Sequence, residues 1–340
     1  MATTLAPNDF IAARAATGRE LAIALATSVH DSLTALYTAL DGRGEFREEQ
    51  WNRPGGGGGV SRLLIDGDVF EKAGINRSVV EGVLPPEAAA RLGGRTAMTG
   101  ETLFFAAGVS LVIHPRSPHI PTLHLNVRYF EMTDADGGVC DAWFGGGTDL
   151  TPTYPRLGDA RHFHRALRDV CDRHHASFYP RFKPWCDEYF VNRHRGGEAR
   201  GVGGIFFDHL RLYDDESSAG LAGRFAFLRD VGLSPESTYV PIVEQQRRTP
   251  YGDAERALQL ARRGRYVEFN LLHDRGTLFG VQTGARIESV LMSLPPLAAW
   301  PCPESCTALG GDGVRTTSES SIESALAGML VPRDWADDAG

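Results

Sequence analysis

The chain has 340 residues, 35 basic against 43 acidic side chains for a net charge of −8, and is 42% hydrophobic and 23% charged. This balance excludes a disordered chain, a collagen and a coiled coil. The acidity also excludes a general nucleic-acid binder, which needs a basic face to release counterions. An anionic ligand must therefore meet a local cluster of arginines, since lysine occurs only at Lys72 and Lys183.

No run approaches 18 uninterrupted apolar residues, and Met1 to Arg14 lacks the basic-then-apolar order of a signal peptide. The expected setting is cytoplasmic, with no stable membrane insertion. Cys140, Cys171, Cys186, Cys302 and Cys306 are odd in number and scattered, which suits free thiols in a reducing compartment. Cys302 and Cys306 lack the second pair that a zinc ribbon requires.

In chain order, Asp9 to Leu40 shows helical spacing, with Asp9 as candidate cap and Gly42 as exit. Gly55 to Gly59 then breaks all periodicity. Val60 occupies the third glycine position of a GxGxxG frame and no Lys-Ser/Thr follows, so neither nucleotide fingerprint is satisfied. The run reads either as a surface loop or as a mobile flap whose backbone can approach a ligand. Thr102 to His114 and Thr122 to Glu131 read as strands.

Asp159 to Asn192 is helical in pattern, broken at Pro180 and Pro184, and a glycine-rich connector from Gly196 to Gly204 leads into a strand from Ile205 to Asp208. Ala254 to Gly264 reads as a basic helix, Tyr266 to Leu272 and Thr277 to Thr283 as two further strands, and Pro295, Pro296, Pro301 and Pro303 end regular structure. Strands thus come in adjacent groups separated by clusters of helix. With no repeat and no long linker, this predicts an α+β fold: one domain with a large, mainly antiparallel sheet flanked by helices on both sides.

Period two places Leu123, Leu125, Val127 and Tyr129 on one face of the strand from Thr122, and His124, Asn126 and Arg128 on the other. That polar face is either solvated or a site; a titratable histidine, an amide and a forked cation suit oriented binding of a carboxylate. His114, His119 and His124 match no metal spacing, and HExxH, His-x-Asp/Glu and GxSxG are all absent. Arg195, Arg200, Arg275 and Arg286 sit beside glycines in predicted loops, each as an anion contact or an ordinary ion pair. Asp208, ending an apolar strand, is a cap or a placed acceptor.

Several segments carry a family resemblance. His114-Pro115-Arg116-Ser117-Pro118-His119, Leu123-His124-Leu125-Asn126-Val127-Arg128-Tyr129-Phe130, Trp143-Phe144-Gly145-Gly146-Gly147-Thr148-Asp149-Leu150-Thr151-Pro152 and Gly203-Gly204-Ile205-Phe206-Phe207-Asp208 resemble the oxygen-dependent coproporphyrinogen III oxidase family. So do Lys183-Pro184-Trp185-Cys186-Asp187, the glycine run after Trp51, and Gln282-Thr283-Gly284-Ala285-Arg286-Ile287-Glu288-Ser289, in order from about Glu45 to Pro301. The family usually has glycine where Ala285 stands and often a second aspartate where His209 stands.

The resemblance implies oxidative decarboxylation of two propionates of coproporphyrinogen III to vinyl groups, giving protoporphyrinogen IX. Dioxygen is the co-substrate, no organic cofactor is used, a divalent metal stays open, and the chain works as a homodimer. It implies His124 as proton donor and Asp208 as the carboxylate that meets pyrrole N–H groups. Ser110, Asn126, Val127, Arg128, Gly284, Ala285 and Arg286 take substrate-binding positions, and His114, His124, His164 and His194 match metal-ligand positions of some bacterial members. The implied layout is an N-terminal helix within residues 1–44 packing on the domain, a catalytic domain over 45–310 with dimerisation through 266–301, and a C-terminal helix and tail over 311–340.

Overall fold

The computed structural model describes residues 17–92, 102–211, 220–282, 286–301 and 317–338. Helix α1 spans Gly18–Asp41 and is set by its ends: the Thr17 hydroxyl accepts from the Glu20 backbone N–H while the Glu20 carboxylate accepts from the Thr17 N–H. Gly42, at φ 87°, donates back to the Thr38 carbonyl and turns the chain out of the helix. The exit is the expected one, whereas Asp9 lies outside the described residues. Leu21, Leu25, Val29, Leu33 and Tyr37 form the buried stripe of α1.

Strands β1 (Arg47–Asn52), β2 (Gly57–Ile65) and β3 (Phe70–Leu84) follow. The glycine run is therefore part of a hairpin and not a free loop or flap: Gly57, Gly58 and Gly59 pair with Val80, Val79 and Ser78. Backbone hydrogen bonding to both neighbours supplies the order that side-chain periodicity did not reveal. Next come α2 (Pro86–Leu92), β4 (Thr102–Pro115), β5 (Thr122–Thr133) and β6 (Val139–Thr151).

Helices α3 (Leu157–Asp172) and α4 (Phe178–Tyr189) are separated at Arg173 to Ser177 and not at the prolines. Pro180 lies in the first turn of α4, where its missing N–H costs nothing, and packing of Phe178, Phe182 and Cys186 carries the helix through Pro184. Two-residue strands β7 (Val191–Asn192) and β8 (Glu198–Ala199) precede β9 (Gly203–Leu210). The remainder is helical: α5 (Gly220–Leu233), α6 (Pro235–Thr238), α7 (Val240–Gln246), α8 (Asp253–Leu272), α9 (Arg275–Gln282), α10 (Ile287–Val290) and α11 (Thr317–Met329).

The strands expected at Tyr266 to Leu272 and from Thr277 are thus helices. Buried Gln259, Arg263, Tyr266, Val267 and Asn270 continue one helical stripe from the first turns of α8, and seven residues taken alone are too few to separate that period from alternation.

Among the described residues, one antiparallel sheet has the order β1-β2-β3-β4-β5-β6-β9. Leu123, Leu125 and Val127 are fully buried on one face, with Tyr129 nearly so, against the core that α1, α3 and α5 share. Helix α8 closes one end of the opposite face: Gln259 and Arg263 donate to the Pro115 carbonyl, and the Tyr266 ring meets the His114 ring edge-on. An α+β domain with helices on both sides of a mainly antiparallel sheet is the fold expected from the sequence.

Candidate functional site

The face of the sheet away from α1 carries three rows of side chains, one residue from each strand. One row aligns Ser78, Gly108, Arg128 and Gly145; the next aligns Ser61, Asn76, Ser110, Asn126 and Gly147; the third aligns Val112, His124 and Asp149. His124, Asn126 and Arg128 therefore do share a face, with Ser110 opposite Asn126. Val127 is the exception among the expected ligands. Its side chain is fully buried on the core face, as period two requires, and only its backbone borders the site.

Arg128 lies flat on this floor. Its guanidinium donates to Asn126 Oδ1 at 3.0 Å and pairs with Asp208 Oδ1 at 2.8 Å. A Cβ on Gly145 would stand 2.8 Å from both Arg128 Nε and Asp208 Oδ1, so the pair needs glycine there. Asp208 is aimed by a break in register between β6 and β9, opposite Phe144 and Gly146, and by His209, whose φ is 51°. Burial opposes ionisation of Asp208, but Arg128 overrides it and holds the carboxyl well below its usual range, so it is an acceptor at all ordinary pH.

The third row holds a buried relay. Asp149 and Arg200 are 1% exposed at their side chains and joined by two contacts of 2.7 and 2.8 Å. Phe190, Tyr266 and Phe269 surround the Arg200 guanidinium with their ring faces. Although burial alone would raise it, the pairing with Arg200 and His124 lowers the Asp149 pKa. An ionised Asp149 can only accept, so the 2.8 Å contact to His124 Nδ1 fixes the hydrogen on that nitrogen. Nε2 of His124 is left for a ligand on the open face.

Neither Asp149 nor the true place of Arg200 was read from the sequence. Asp149 stands in a period-two series with Gly145 and Gly147, a usable signal, but its pairing with His124 depends on the register of β5 against β6. The sequence leaves Arg200 as a loop contact to an anion or an ordinary ion pair; the structure places it in the interior, on Asp149. The other glycine-flanked arginines are also engaged: Arg195 pairs with Glu268, Arg275 lies over the Tyr189 ring, and Arg286 pairs with Glu49 and Glu288. Gly284 and Ala285 lie outside the described residues.

The four histidines matched to metal positions are not brought together. His164 donates from Nε2 to the Val202 carbonyl and accepts at Nδ1 from the Tyr179 hydroxyl, and burial lowers its pKa to about 3. His114 donates from Nε2 to the Ser293 carbonyl. His194 is held between Glu268 and His273, and His124 by Asp149. Among the described residues no three His, Cys, Asp or Glu side chains are grouped to hold a metal ion. The four do not fit one common ion.

An ionised aspartate fixed beside an arginine, and a histidine whose free nitrogen is set by a second, buried aspartate, make an arrangement that can both accept hydrogen bonds from a ligand and hand on a proton. The chain belongs to the coproporphyrinogen III oxidase family, a group of oxidoreductases: the family model described as Coproporphyrinogen III oxidase matches residues 22–312. It is 51% identical over 275 residues to the oxygen-dependent coproporphyrinogen-III oxidase, chloroplastic, of Glycine max, covering 79% of this chain and 70% of that protein. Identity to coproporphyrinogen-III oxidase 1, chloroplastic, of Arabidopsis thaliana is 51% over 279 residues, 80% of this chain and 70% of the relative. For the oxygen-dependent coproporphyrinogen-III oxidase, chloroplastic, of Nicotiana tabacum it is 52% over 276 residues, 79% and 68% of the two chains.

Proposed function

We propose that this chain catalyses the oxygen-dependent oxidative decarboxylation of coproporphyrinogen III, converting two ring propionates to vinyl groups and giving protoporphyrinogen IX. Each conversion removes one C–H hydrogen and one carbon dioxide, and the two electrons released pass to dioxygen, which leaves as hydrogen peroxide. The reduced macrocycle is rich enough in electrons to react with oxygen itself. The protein's part is to hold it, handle protons and exclude water.

The observation that carries this reading is the placing of Asp208 and His124 on one glycine-floored face. Asp208, always ionised, accepts from pyrrole N–H groups and raises the electron density of the ring. His124 Nε2 gives or takes the proton near a reacting propionate. Arg128 retains further N–H donors beyond its two contacts, and Arg286 pairs with Glu49 of β1, in the segment whose Ser289 meets Ser61 of β2. From β5 to β2 is three strand spacings, about 14 Å, a span that a four-ring macrocycle with acidic arms can bridge. Ser110 and Asn126 line the floor between them.

The test is turnover of coproporphyrinogen III with product chromatography, with no added organic cofactor. Activity is expected in air and should stop under argon. Anaerobic turnover with an added acceptor, or a requirement for S-adenosylmethionine, refutes the reading.

We infer a homodimer through residues 266–301. Leu271, Leu272, Val281, Ile287, Leu297 and Trp300 are all exposed within this segment, an apolar concentration that a second copy would cover. Phe269, in the same segment, is fully buried against Arg200 and does not belong to that surface. Sedimentation at micromolar concentration should show a species twice the 37.0 kDa chain mass; a lone monomer refutes the dimer.

No described helix is long and apolar enough to cross a membrane. The unpaired Cys140, Cys171 and Cys186 support a reducing compartment, and on that ground a cytoplasmic setting is proposed, although the relatives above are named chloroplastic.

A further inference from the structure

Asp208 is contacted from two sides. Arg128 Nη2 lies 2.8 Å from Oδ1, and the His209 ring nitrogen Nδ1 lies 3.6 Å from Oδ2. The His209 ring is not free to turn away, because it stacks on Trp143 at 4.7 Å with the planes 12° apart. Trp143 in turn stacks on Phe130, and Phe130 on Phe104, so a file of nearly parallel rings from β4 to β9 sets the position of the imidazole. The backbone of His209 is held in the left-handed region, where its own N–H donates to Asp208 Oδ1 at 3.0 Å. A non-glycine residue persists there only when its surroundings over-determine it.

We propose that His209 is a positioning residue for the reaction, resting on the reading of Asp208 as acceptor for the substrate's pyrrole N–H groups. Neutral, His209 leaves Oδ2 of Asp208 open toward the macrocycle. Protonated, it is a second cation on the same carboxylate and draws Oδ2 away from the substrate. Histidine is the side chain whose charge changes between pH 5 and 8, and the His209 side chain is 36% exposed, so solvent can supply the proton. Asp208 itself cannot be the titrating group, because Arg128 keeps it ionised far below that range.

Among the described residues, three elements bring charged or aromatic groups to His209. On β9, Asp208 faces the ring, and Arg211 donates to the His209 carbonyl while pairing with Asp141 of β6. On β5, Arg128 faces it across Asp208. From β6 the ring meets the uncharged indole of Trp143. Substrate N–H groups and the His209 ring approach the same carboxylate, so substrate and a proton on His209 compete for one oxygen.

The test is anaerobic binding of coproporphyrinogen III, with aerobic kcat/KM alongside, at pH 8 and pH 6 for the parent, His209→Asn and Asp208→Asn. Asparagine adopts the left-handed backbone more readily than most residues, and His209→Gly is the second variant should the first fail to fold. The parent should lose about three- to fivefold more affinity between pH 8 and pH 6 than either His209 variant, the scale of a partly exposed charge pair. Superimposable pH dependences for parent and His209→Asn overturn the proposal while leaving the function intact. If Asp208→Asn binds substrate at pH 8 as tightly as the parent, the reading of Asp208 itself falls.

Discussion

His124→Ala is expected to slow turnover of coproporphyrinogen III by about 10² to 10⁴, the usual contribution of a positioned acid or base, while anaerobic substrate binding stays within a few fold of the parent. The two readouts separate because Nε2 of His124 is the nitrogen left open, whereas the anchoring charges in the proposed function are Arg128, Arg286 and Asp208. The residue is partly exposed and fills no core volume, but its loss takes one partner from the buried Asp149, so stability should fall by about 1–3 kcal/mol. Loss of affinity equal to the loss of rate would place His124 among the anchors. A parent-like rate would remove it from the chemistry altogether.

The second large effect is on stability. Arg200→Met keeps much of the side-chain volume among Phe190, Tyr266 and Phe269 but leaves Asp149 as a buried charge with its principal partner gone, which should cost about 3–5 kcal/mol at pH 7. The dependence on pH has a definite sign. In the parent the Asp149 pKa is lowered on folding, so the pair contributes stability above the ordinary carboxylate range and loses it as pH falls through the depressed value. In the variant burial dominates and the folded pKa rises, so protonation relieves the strain and the deficit relative to the parent shrinks on acidification. Urea unfolding of both proteins at pH 7 and pH 5 reads this directly. A deficit below about 1 kcal/mol at pH 7 would mean that water solvates Asp149 as well as Arg200 does.

What could be read from the sequence was what depends on local period. The strand from Thr122 shows its two faces in seven residues, and the helix before Gly42 shows its stripe and its exit. The long β4 strand announces itself by β-branched and apolar density. What failed depended on partners far away in the chain. The glycines of β2 carry no side-chain pattern, and only their pairing with β3 makes them a strand. The last turns of α8 look alternating until the stripe is followed from Gln259. Arg200 reads as a loop cation because nothing near it in sequence announces Asp149, 51 positions earlier. The resemblance singles out His124 and Asp208, but the residues that hold each of them, Asp149 and Gly145, are legible only once the strand register is known.

Part of the floor of the site is bare main chain, at Gly108, Gly145 and Gly147 beside Arg128 and Asn126. A surface without side chains has no rotamers to freeze when a flat ligand settles on it, so association there loses less conformational entropy than on a floor of ordinary residues. The penalty is transferred to the folding equilibrium. With Gly146 included, four glycines in β4 and β6 each lose more backbone freedom on folding than another residue would, and alanine cannot relieve this, because a Cβ on any of them would stand within 2.8 Å of a neighbouring atom. The protein is thus less stable in isolation than its strand lengths suggest, and substrate bound to the folded state alone should raise its stability with the logarithm of free substrate above Kd.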